Sequence, residues 1–136
     1  MGAIPGSEAA IIFPNEGGNW VEYLSSLGML LSFIQHQNTQ LARQANHAGG
    51  EAARVKVCCG HLTYDTDAET MVAEVQDLME RIIGRLVRVR GSAWVRGVRV
   101  DFWMEDAEGE ARYSVLAPRR VCEEAREHFG TGRVLL

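Results

Sequence analysis

Cys58, Cys59 and His61 are the nearest thing in this chain to a reactive set, with Asp65, Asp67 and the distant Cys122 as further donors. Thiolate and imidazole together can hold zinc, or make a cysteine nucleophile with a histidine base. The spacing argues against both. A structural zinc site takes paired ligands two to four residues apart, and no second pair follows here. Neighbouring residues on a strand point to opposite faces, so Cys58 and Cys59 are not expected to bridge each other. No nucleophile elbow, glycine-rich phosphate loop or paired-carboxylate spacing accompanies them. The expectation is no metal, no cofactor and no catalytic group.

A second set is basic and aromatic. Arg85, Arg88, Arg90, Arg96 and Arg99 run from Glu80 to Asp101 without an intervening acid, and Trp94, Trp103 and Tyr113 lie nearby. Such a face could stack bases. Asp101 and Glu105 interrupt it, however, and the formal net charge is −4. Nucleic-acid binders usually carry a basic excess, so a solvated, salt-bridged face is the better reading. Cross-strand pairs of Asp101 or Glu105 with Arg112 would fit it. Arg119 and Arg120 oppose the dipole of the helix they open, and pairing with Glu123 and Glu124 is preferred to anion capture. If a small ligand is bound, the candidates are His61, Tyr64, Asp101, Trp103, Glu105 and Arg112.

The elements that position these residues are easier to read. At 136 residues the chain suits one domain, 1–136, burying about two-thirds of its unfolded surface. Residues 1–10 are small residues, glycine and proline, expected to be loose. Ile11 to Phe13 reads as a short strand before a turn at Pro14 to Gly18. Asn19 then caps a helix to about His47, before Gly49 and Gly50. Its core stripe is Trp20, Leu24, Leu27, Leu31, Ile34, Leu41 and Ala45, broken only by Asn38. A strand is expected over Arg54 to Tyr64. A capping box at Thr66 and Glu69 starts a helix burying Ala68, Met71, Val72, Val75, Leu78, Met79, Ile82 and Ile83, and Gly84 stops it.

Val87 to Ala117 reads as a meander, because Val98, Val100, Phe102 and Met104 alternate with Arg99, Asp101, Trp103 and Glu105. That register puts Phe102 in the core and Trp103 outward. Asp106 to Gly109 turns the chain into a run ending at Ala117. Pro118 opens a last helix with Val121, Cys122, Ala125 and Phe129 inward, and Arg133 to Leu136 could add an edge strand. The class is α+β, an antiparallel sheet with helices packed on one face, in the order (β)αβαββα(β). Two architectures fit: a ferredoxin-like sandwich, or a curved-sheet cone with a central pocket, favoured if Gly91 to Trp94 makes a true turn.

The greasiest segment, Leu24 to Ile34, is too short to span a bilayer, so no membrane contact is expected. The first residues carry no basic n-region or long apolar run, which marks no secretory signal and suggests a cytoplasmic, reducing setting. All 14 basic residues but Lys56 are arginine, as in a GC-rich, bacterial coding sequence, and the profile suits an accessory or mobile-element protein.

One feature of the first helix points to a partner. No charged residue lies between Glu22 and Arg43, and Met29 and Phe33 stand opposite the core stripe. A surface helix facing one core should be charged there. The favoured reading is a non-catalytic interaction protein, homodimeric through the 19–47 helix, with Met29, Phe33, His36 and Gln37 at the contact. Its meander face would take a protein or small molecule. The alternative is a small-molecule or enzymatic pocket between curved sheet and helices.

Overall fold

The computed structural model describes residues 10–14, 17–59, 63–105 and 113–130. The elements run β1 (Ala10–Ile12), α1 (Trp20–Ala48), β2 (Lys56–Cys59), β3 (Thr63–Asp67), α2 (Ala68–Ile83), β4 (Gly91–Val95), β5 (Val98–Met104), β6 (Ser114–Pro118) and α3 (Arg119–His128). The chain is α+β, as its patterning requires. The segment read as one strand from Arg54 to Tyr64 contains an antiparallel pair, β2 with β3. Residues 106–112 and 131–136, with the expected turn and final edge strand, lie outside the described residues, as do residues 1–9.

Contacts divide the chain into two compact units, Met1–Leu24 with Asp77–Leu136, and Ser25–Gln76. The first holds a four-stranded sheet in the order β1-β6-β5-β4. The meander β4-β5-β6 is antiparallel, but β1 runs parallel to β6, so the sheet is mixed. Arg96 and Gly97 make the β4-β5 turn with φ of 51° and 78°. Two positive φ values in a two-residue connection match the right-handed twist of the strands. The arginine adopts a region that favours glycine, and the hairpin holds it there.

Alternation along β5 is as the sequence predicts, but the exposure is not. Val100 and Phe102 are buried on one face, and Asp101 and Trp103 on the other. Trp103, expected outward, is 1% exposed. Its ring meets the edge of Trp20 at 5.8 Å between centroids, and Trp20 in turn meets Phe13 at 5.1 Å. Period two tells which residues share a face; it cannot tell how many faces are covered. Here the first turn of α1, held by the Asn19 side chain accepting from the Glu22 N–H at 3.0 Å, brings an indole onto the second face.

The end of α2 is closed twice. Gly84 was expected to stop it, yet the residue in the left-handed region is Arg85, φ 61°. The Arg85 and Leu86 N–H groups return to the carbonyls of Ile82 and Arg81, the two bonds of a Schellman cap. Arg126 of α3 donates to the Ile82 and Ile83 carbonyls at 2.8 and 3.2 Å. A cation at a helix C-terminus is favoured by the dipole as well. Val121, Cys122 and Ala125 fill the buried side of α3, and burial pushes the Cys122 thiol up to about 11 despite the Arg126 charge.

In the second unit, the residue that breaks the core stripe of α1 is its main polar anchor. Asn38 is buried, accepts from the Val55 N–H at 2.8 Å, and donates to Glu69 at 3.1 Å. Both ends of the amide are thus satisfied, which is what makes its burial tolerable. The cap of α2 is Asp67 rather than Thr66. Its carboxylate accepts from the Thr70 N–H and hydroxyl at 3.1 and 2.9 Å, and from Arg54 Nε at 2.8 Å. An ionised cap that also takes an arginine outcompetes a threonine hydroxyl one residue earlier. The bonds from Arg54 and Thr70 hold the Asp67 carboxyl well below the usual carboxylate range.

Because Trp103 is packed as fully as Phe102, Trp103→Ala and Phe102→Ala should each cost about 3–5 kcal/mol in denaturant unfolding. A tryptophan facing water would instead show almost no loss on truncation.

Candidate interaction surfaces

Within the described part of the sheet, charged groups meet at Asp101. Its side chain is 2% exposed. Arg119 donates to it through Nε at 2.8 Å and Nη2 at 2.9 Å, a two-pronged contact, and the Ser92 hydroxyl donates at 2.6 Å. Burial alone would raise this carboxyl. The bonds from Arg119 and Ser92, with the charges of Arg119 and Arg99, outweigh burial and hold it below its ordinary value. Arg119 therefore serves the sheet, while its neighbour Arg120 pairs with Glu124 at 2.8 Å as spacing predicts.

This arrangement is structural in its chemistry. A carboxylate held by three hydrogen bonds below its ordinary pKa is a weak proton acceptor at neutral pH, so the Ser92 hydroxyl that donates to it at 2.6 Å is not activated by it. It fixes β4, β5 and the start of α3 to one another.

Of the candidate ligand residues, three have described side chains. Asp101, Trp103 and Glu105 are buried, so the outward face expected of β5 is not presented by them. His61 and Arg112 lie outside the described residues, and so does the Tyr64 side chain. Among the described residues, no group of three or more His, Cys, Asp or Glu side chains could hold a metal ion. No helix there is long and apolar enough to cross a membrane.

What the structure does present is exposed apolar surface: among the described residues Ile12 stands alone on β1, and the other large side chains gather in two places. On α1, Met29, Leu30 and Phe33 are 73%, 46% and 58% exposed. His36 and Gln40 follow on the same side, with their side chains 3.4 Å apart, and Gln37 is half-buried. Around β4, Leu86, Val89, Trp94 and Val95 are exposed by 72%, 39%, 69% and 42%. The Arg99 guanidinium sits 5.6 Å from the Trp94 ring centroid, within cation–π range. Sequence reasoning found the α1 patch from its lack of charge. It missed β4, since Gly91 and Ser92 disguise an edge strand as a bend.

No protein-family model matches the chain, and no solved structure does. The functional reading therefore rests on these residues.

The Asp101 cluster has a measurable pH signature. Its folded carboxyl lies below its unfolded value, so the stability it gives is present above the unfolded pKa and is lost as pH falls through the folded one. Arg119→Met should destabilise the protein at neutral pH by at most the low end of the roughly 3–5 kcal/mol seen when a buried pair loses a partner, since the Arg119 side chain is 44% exposed. It should also weaken the acid limb of the stability curve. An acid limb identical to wild type would show that Asp101 is not held by Arg119.

Proposed function

We propose that the protein is a non-catalytic interaction module that works as a homodimer through α1. The observation that carries this reading is the exposure of Met29, Leu30 and Phe33 on a helix with no charged residue between Glu22 and Arg43. Open surface helices carry charge on their outer side, both for hydration and against association. A clear outer side with large apolar side chains at its centre is the composition of an interface core, where charge is depleted and Phe and Met are enriched.

A second copy of the same helix suits the patch because a two-fold contact needs one self-complementary surface. Small residues favour close approach: Ser25, Ser26 and Ser32 are exposed beside the apolar trio. His36, Gln37 and Gln40 supply an uncharged polar rim. Phe13, the other large apolar group near the start of α1, packs on Trp20 and Tyr23.

Magnitudes bound how tight such a dimer can be. Covering the three side chains on two copies, discounted for the part already buried, gives about 5–10 kcal/mol at transfer values of 1.5–3 each. That is comparable with the cost of association, about 4–15 kcal/mol. The trio therefore roughly offsets the cost of association, and a micromolar pairing, about −8.2 kcal/mol net, draws on the polar rim and the rest of the uncharged α1 face as well.

Sedimentation across the micromolar range tests it. The wild type should pass from monomer to dimer, and Phe33→Glu should stay monomeric with an unchanged circular dichroism spectrum, because the charge enters the contact and spares Trp20, Leu24 and Ile34. A wild type that remains monomeric throughout contradicts the proposal.

A further inference from the structure

We propose that β4 is the docking edge for an extended, acidic segment of a partner protein, which adds to the sheet as a further strand. This deepens the interaction-module reading and rests on it for the existence of a partner, but it does not depend on pairing through α1.

Three observations converge on β4. It is an edge strand among the described residues, since the sheet order is β1-β6-β5-β4. The two-residue turn makes Val95 and Val98 the closing pair, so hydrogen-bonded pairs with β5 recur at Ala93 and Gly91. The N–H and C=O groups of Ser92 and Trp94 consequently point away from β5. Natural sheets usually protect such an edge.

The second observation is apolar. Four of the large exposed hydrophobic residues fall within residues 86–95, and from Ser92 to Arg96 every residue is exposed. A strand laid along β4 would cover alternate side chains on each face, Trp94 on one and Val95 on the other. Trp94 is the kind of large, partly polar anchor on which interface energy concentrates.

The third is charge. Arg88 precedes β4, Arg96 lies in its turn and Arg99 faces Trp94 across the hairpin, and no acid intervenes in the sequence between Glu80 and Asp101. Asp101 itself is buried and already taken by Arg119. The described side chains flanking β4 are therefore basic on a chain of net charge −4. That contrast selects the partner. Two copies joined edge to edge through β4 would bring like charges together. A nucleic acid gains nothing from an open backbone edge and meets an acidic protein overall. A segment alternating acidic and apolar residues satisfies backbone, apolar face and arginines at once.

The test uses the full chain and three labelled probes: a peptide alternating Glu with Val, its Lys–Val counterpart, and an oligothymidylate. Fluorescence anisotropy should show the acidic peptide binding at least about tenfold more tightly than the basic one, a difference of about 1.4 kcal/mol. N-methylation at alternate peptide positions removes the backbone donors of one edge only. One methylation register should weaken binding by about tenfold, as the loss of two net hydrogen bonds implies, and the other should not. Trp94→Ala should weaken it as well, and Arg88→Glu with Arg96→Glu should reverse the preference between peptides. Binding should persist in Phe33→Glu, so a failed dimer and a failed docking edge give separate readings. Absence of peptide binding, indifference to charge, indifference to N-methylation register, or preference for the oligothymidylate overturns the proposal.

Discussion

A tryptophan on the nominally outer face of β5 has to be covered, and much of the first unit follows from that requirement. Trp103 is 1% exposed because Trp20 lies edge-on against it. Trp20 can do so only where α1 begins, so the Asn19 cap and the Phe13 contact with Trp20 matter to the sheet as well as to the helix. Phe13 follows β1, and its own N–H donates to the Leu116 carbonyl of β6 at 2.9 Å. The parallel β1-β6 pair and the aromatic cluster thus support each other. An edge-to-face chain of rings contributes roughly 0.5–1.5 kcal/mol per pair beyond area burial.

With that face closed, polar groups caught beneath it need partners. Asp101 lies two residues before Trp103 on the same face, and Arg119 and Ser92 converge on it. The buried carboxylate, suggestive of chemistry when read as a sequence, is a fastening between the meander and α3. The large apolar side chains that remain exposed cluster on the uncharged side of α1 and along the arginine-flanked edge at β4. These are of different kinds. The first is apolar and uncharged; the second offers backbone, a tryptophan and arginine side chains.

The sequence revealed most where one residue acts on its own neighbourhood. Asn19 as a cap, the Trp20 to Ile34 stripe, the buried side of α2 and the Arg120–Glu124 pair all follow from spacing within a few residues. It failed where the deciding partner lies far along the chain. Trp103 was placed outward because Trp20 stands outside the meander pattern that set its register. Spacing offers Arg112, close across a turn, as a partner for Asp101 or Glu105; the guanidinium that reaches Asp101 belongs to Arg119, and Arg112 lies outside the described residues. Asn38 read as a flaw in the core stripe because the N–H that needs it is that of Val55. Thr66 and Asp67 were both credible caps, and Arg54 tips the choice to the aspartate. In each case the missing information was a tertiary contact that local pattern cannot contain.

The central claim is that the open indole of this protein is on β4 and that both faces of β5 are closed. The chain has three tryptophans, of which Trp94 is 69% exposed while Trp20 and Trp103 are each 1% exposed. Acrylamide quenching of tryptophan emission in single Trp→Phe variants reads this directly. Trp94→Phe should remove the red-shifted, readily quenched component and leave a blue, protected emission, while Trp103→Phe should leave the quenched component in place. If Trp103→Phe abolishes that component and Trp94→Phe does not, the outer face of β5 is open and the exposed indole is Trp103.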